Sequence, residues 1–197
     1  MTTELSLWWQ VRERLAAQAW SCDDATWQMA FNAHTVGSLL GSYADPSAES
    51  RPEVSRNLQA LSEGRDDLEG DLAPSIVRAW LTLRQIDAAL GRPPIDLRSE
   101  VALFVGQQLV DVLQRLADDV DSGLTLRISG PGFLSSTSTP GRTHCTATMS
   151  WPTLVGLAAG TVLLEDSPID LAGDDGAIDA FIDTLVALPT TVGSTNF

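Results

Sequence analysis

Imidazoles and thiols are scarce in this chain: His34, His144, Cys22 and Cys145 are the full set. His34 falls in a segment where Ser21, Asp23 and Asp24 offer N-cap oxygens for a helix running through Trp27 and His34 to about Tyr43, among apolar neighbours, where a lone histidine is more often a core or boundary residue than a ligand. A catalytic zinc needs three protein ligands converging at about 2 Å. Gly37 and Ser38 stand three and four residues after His34, so any such site must be completed from other helices, with Glu49, Glu53 and Asp87 as the available carboxylates. The two cysteines lie far apart, outside any Cys-x-x-Cys spacing, and read as free thiols of a reducing compartment. No flanking base or cation marks either as a thiolate.

Carboxylates are abundant but not arranged as a calcium loop. Asp118, Asp119 and Asp121, then Glu165, Asp166, Asp170, Asp174 and Asp175, lack the alternating oxygen ligands and the closing Glu of that motif, and read as solvated surface and helix caps. There is no Gly-x-Ser-x-Gly, no Walker loop and no Gly-x-Gly-x-x-Gly after a strand. The Ser135 to Thr139 run leads into Pro140-Gly141 rather than a helix, so it reads as a polar strand or loop rather than a phosphate cradle. No complete catalytic set is present.

The 12 basic residues are all Arg, and 26 acidic ones leave a formal charge of −14 over 197 residues. Such a field repels phosphate backbones, which argues against nucleic acid as a partner. The N-terminus lacks a positive leader, and no apolar run approaches the roughly 20 residues that span a bilayer, so the expectation is a cytoplasmic protein with no membrane role. Six Trp, four of them in the first forty positions, suit a bundle core or an interface. Trp8, Trp9 and Trp20 exceed what one helix face buries, and suggest a homodimer.

Apolar periodicity supplies the elements that must position any site. Leu7, Val11, Leu15 and Ala19 mark a helix over 5–20, Val54, Leu58 and Leu61 a short one, and Ile76 to Ile86 a central helix ended by Gly91. Asp96 can cap a long helix carrying Val101, Val105, Leu109, Val112 and Val120. After Gly123 the period drops to two: Leu124, Leu126 and Ile128, then Cys145, Ala147 and Met149, predict strands, with His144 toward solvent. Ser150 caps a helix holding Pro152, Ile169 and Leu171 form a strand, and Asp174 or Asp175 caps a last helix. The fold class is α+β: a helical bundle over 1–122, a small α+β domain over 123–189 and a flexible tail over 190–197.

The stretch Ile86-Asp87-Ala88-Ala89-Leu90-Gly91-Arg92-Pro93-Pro94-Ile95-Asp96, the long helix after it, Ala147 to Gly160 and Leu171-Ala172-Gly173-Asp174 together resemble the mycothiol-dependent maleylpyruvate isomerase family. That family joins a DinB-like bundle to a domain similar to sterol carrier proteins. The resemblance covers a little more than half the chain, and implies a shortened bundle. It also implies a divalent metal held by a His of the second helix and a Glu-x-x-x-His pair just ahead of the Asp matching Asp87. His34, preceded by Trp27, takes the first position; the Glu position falls on Trp80 and the second His on Arg84. An indole cannot ligate zinc, and a guanidinium stays protonated and repels a cation. Arg84 is instead spaced to pair with Asp87.

The expectation is therefore a degenerate, non-catalytic member acting as a ligand-binding or regulatory protein, with no cofactor, zinc entering only if other residues complete the site. The alternatives are a metal- and mycothiol-dependent isomerase or thiol transferase, and a carrier of an apolar molecule in the C-terminal domain. The partner is then a small apolar ligand or another protein.

Overall fold

In a computed structural model of the chain, residues 4–44, 48, 50–63, 71–93, 97–119, 123–130, 132–138 and 144–193 are described. They form two units, Met1–Ile95 and Asp96–Phe197, and the class is mixed α+β as the periodicities imply. Expectations on Asp45 to Ser47, Glu49, the Gly64 to Gly70 turn, Asp96, Val120, Asp121, Thr139 to Thr143 and 194–197 lie outside the described residues.

The first unit is helical. α1 (Glu4–Ser21) turns Leu7, Val11, Leu15 and Ala19 inward and packs along α4 (Arg51–Glu63) and α5 (Ala73–Ala89). Helix α5 is surrounded, as its apolar positions on more than half the circumference require; Ile76, Val77, Trp80 and Ile86 are fully buried. Its end is a Schellman motif: Gly91 takes φ 61°, its amide donates to the Ala88 carbonyl, and the Arg92 amide donates to the Asp87 carbonyl at 2.8 Å.

The helix expected to run from the Asp23–Asp24 caps through Trp27 and His34 to Tyr43 begins at that cap but does not continue as one element. The chain forms α2 (Asp24–Trp27), a two-strand hairpin of β1 (Ala30–Phe31) and β2 (His34–Thr35), then α3 (Val36–Gly41). Local hydrogen bonds decide this. Asp23 accepts from the Thr26 amide to start α2, Asn32 takes the left-handed turn at φ 52°, and Thr35 with Ser38 forms a capping box that starts α3 at Val36, two residues after His34. Trp27 lies against Gly37, where any Cβ would collide with the indole.

In the second unit α6 (Glu100–Asp119) packs on β3 (Leu124–Gly130) and β4 (Phe133–Ser138). The division thus falls at Ile95/Asp96 rather than after 122. The reason is that the stripe Val101, Val105, Leu109, Val112 and Leu113 matches the apolar face of the sheet. The remaining elements are β5 (Cys145–Ser150), α7 (Trp151–Ala158), a 3-10 turn (Leu164–Asp166), β6 (Ile169–Gly173) and α8 (Asp175–Gly193). The strand order is β4-β3-β5-β6, with β3 and β5 parallel and both edge pairings antiparallel.

Register places Leu124, Leu126 and Ile128 beside Cys145, Ala147 and Met149, all buried, on one face. The alternate residues Arg127 and Thr148 are exposed. Phe133 fills the place a side chain at Gly106 would need and stacks on buried Trp151, ring centroids 5.0 Å apart. Ser150 caps α7 by accepting from the Thr153 amide, as the Ser-Pro spacing predicts. Of the tail expected to be flexible over 190–197, residues 190–193 are instead helical: α8 runs through Pro189 to Gly193, because Phe181, Leu185, Leu188 and Val192 continue one buried stripe past the proline. No described helix is long and apolar enough to cross a membrane.

Candidate functional site

The residues singled out by the sequence separate into two places. His34 is exposed on the β1–β2 hairpin, Phe31 opposite it, and not within a helix among apolar side chains. Trp80, Arg84 and Asp87 lie on successive turns of α5 in the interior of the helical unit. Arg84 Nη2 stands 3.0 Å from Asp87 Oδ2, both side chains at least 95% buried, and the guanidinium lies over the Trp80 ring at 4.9 Å. The three side chains form one stack, indole, guanidinium and carboxylate, of residues spaced three and four apart.

Burial dominates the electrostatics of this pair. Desolvation pushes the Asp87 carboxyl up from its ordinary value despite the opposing pull of Arg84, Arg92 and Arg14, and the same loss of water lowers Arg84, which Asp87 partly restores. Both shifts favour neutral forms, as expected where taking two charges out of water costs more than their attraction returns.

The cationic character extends beyond the pair. Arg92, brought back over the last turn of α5 by the Schellman motif, donates through Nη1 to Gln18 Oε1 at 3.0 Å, and Gln18 lies one helical turn after Arg14 on α1. The Cys22 thiol, near Arg92 and Arg51, is raised by burial and accepts from Gln18 Nε2 at 3.7 Å. Burial alone raises Cys145. Both cysteines are unpaired and buried, so neither has the environment of a thiolate nucleophile. Sequence reasoning reached Arg84 and Asp87 but missed Arg14, Gln18 and Arg92. The signal for Arg92 was present in Leu90-Gly91-Arg92, the signature of a helix end that folds the following residue back.

The remaining carboxylates act locally. Glu53 accepts from the amide and hydroxyl of Ser50 at the start of α4 and lines an open hollow of about 440 Å³ with Ala48, Arg56, Asn57 and Ala60. Asp118 accepts from Gln114, and Asp174 accepts from the α8 amides through its carbonyl and meets His144 Nδ1 at 3.0 Å. His144 is therefore half-buried and partnered rather than simply turned to water. Among the described residues no group of three His, Cys, Asp or Glu side chains converges as metal ligands would. The donor chemistry around Asp87 does not fit a divalent cation: an indole and a guanidinium stand beside its carboxylate, and His34 is on the hairpin surface.

Comparison with known protein families, curated proteins and solved structures gives no match to this chain.

Proposed function

We propose that this chain is a non-catalytic ligand-binding or regulatory protein on a scaffold resembling the maleylpyruvate isomerase family, in which the metal-ligand positions have become a buried indole–guanidinium–carboxylate stack. The observation that supports this most directly is Arg84. It stands where a second imidazole ligand would be needed, is almost fully buried, and is committed to Asp87 at 3.0 Å. A fixed positive charge beside the carboxylate competes with any cation for that group. The high-lying thiols and the exposed His34 supply no alternative nucleophile or base at this place.

Native mass spectrometry combined with elemental analysis of the full chain tests the reading. The expected result is no stoichiometric transition metal and a retained small molecule or protein partner. Stoichiometric zinc that disappears in His34→Ala would overturn it and make the chain a metalloprotein; protein free of both metal and any bound species under all conditions would remove the ligand-binding reading.

A further inference from the structure

In a chain with more than two carboxylates for each arginine, the inner end of the α1–α5 packing has the reverse balance among the described residues: Arg84 is paired with Asp87, and Arg14 and Arg92 lie close enough to act on the same carboxylate. Three contacts, two between side chains and one in the backbone, hold them there. Arg84 and Asp87 share a face of α5, the Schellman turn bonds the Arg92 amide to the Asp87 carbonyl, and Gln18 ties the Arg92 guanidinium to the face of α1 that carries Arg14. One guanidinium is neutralised by Asp87, leaving an excess of fixed positive charge. Nη1 of Arg14 is buried and has no hydrogen-bond partner among the described residues, and a buried donor left in that state is costly unless something accepts from it. The cluster also has an open side, because Arg92 is exposed while Arg14 and Gln18 are half-buried.

We infer that the helical unit binds a small oxyanion at this cluster, with Arg14 Nη1 and the Arg92 guanidinium as donors and Arg84–Asp87 as the inner wall. The inference rests on the ligand-binding reading and specifies its ligand class. Guanidinium forks match carboxylate and phosphate oxygens in geometry, and partial exclusion of water strengthens each bond. Asp87 sets the charge of the wall, so it limits affinity rather than supplying it.

Isothermal titration calorimetry of the full chain with succinate and, separately, inorganic phosphate at low ionic strength tests this. Saturable one-site binding of at least one anion is expected, weakening as salt rises. Arg14→Gln should weaken it about tenfold or more, the equivalent of one charge-assisted hydrogen bond. Arg92→Gln, at the exposed helix end, should weaken it with the fold intact, and Asp87→Asn should tighten it by removing the competing charge. Binding of succinate alone assigns a carboxylate ligand, and of phosphate alone a phosphate. No saturable binding of either anion, or binding indifferent to both arginine substitutions, would overturn the inference. A neutral molecule retained in native mass spectrometry alongside that negative result would remove the oxyanion and leave the ligand-binding reading standing.

Discussion

Under the C-terminal sheet the buried side chains are Leu124, Leu126, Ile128, Ala147, Met149, Trp151 and Phe181, and the buried polar groups there, Thr153 and Thr184, are hydroxyls bonded to their own helix or its cap. The helical unit buries Arg12, Arg84 and Asp87 as well as its leucines and valines. Removal of apolar area from water stabilises both interiors, at roughly 25 cal/mol per Å². Among the described residues only the first unit sets charge desolvation against that gain, and a buried ion pair adds little net stability to offset it. Arg84 and Asp87 thus add little to stability for the charge they bury, and no described residue pair in the other unit is their counterpart.

The largest expected effect breaks this contrast directly. Arg84→Ala leaves the Asp87 carboxylate buried without its partner and should cost about 3–5 kcal/mol in the unfolding of the helical unit. Trp151→Ala in the other unit should cost a similar amount, about 3–5 kcal/mol, through loss of the Phe133 stack and the cavity left behind. The two losses differ in how they are repaired. The double substitution Arg84→Met with Asp87→Leu should return the helical unit to near or above its original stability, because it removes both desolvated charges. Denaturant unfolding with tryptophan fluorescence reads both; a double variant as unstable as Arg84→Ala would mean that the pair is a net stabilising element and the contrast is false.

How much of this could be read from the residues depends on the range of the interaction that decides each feature. Strands β3 and β5, α7 with its Ser150 cap, and the i, i+3 pair of Arg84 and Asp87 are settled within a few residues of sequence, and periodicity or spacing places them. His34 was misplaced because helical spacing of apolar residues competes with local capping. Asn32 offers the backbone a left-handed turn and Thr35 a new cap, and together they outweigh the apolar pattern. The division of the chain was misplaced for a different reason: an amphipathic stripe on α6 says that the helix is half-buried but not against which partner. The same holds for α8 beyond Pro189, where Leu188 and Val192 earn their burial only from tertiary packing. Arg14 entered the candidate site through a contact between α1 and α5, some seventy residues apart, which no local rule reveals.

A smaller effect, of distinctive sign, sharpens the comparison through pH. Asp87 has its folded value raised above the ordinary 3.8, chiefly by desolvation. Its contribution is therefore fully favourable below the unfolded value and is lost as pH rises through the folded one. Lowering pH from about 7 towards about 4 should stabilise the wild-type helical unit relative to Asp87→Asn, which lacks this titration. Unfolding midpoints of the two proteins across that window should converge or cross; parallel curves would mean that Asp87 carries no raised value.

The smallest effect concerns the hairpin that carries His34 away from the interior. Thr35 accepts from the Ser38 amide, and the Ser38 hydroxyl accepts from the Thr35 amide, so each satisfies a donor that would otherwise be left open at the helix start. Thr35→Ala removes one half of this box and should cost about 1 kcal/mol. If the capping box is what stops a continuous helix from forming across His34, the variant should also gain helical signal by circular dichroism, since residues 28–35 lose their competing local bonds. Loss of stability without any gain of helix would assign the break to Asn32 and the Trp27–Gly37 packing instead, and would place the origin of the exposed His34 in tertiary contacts rather than in the cap.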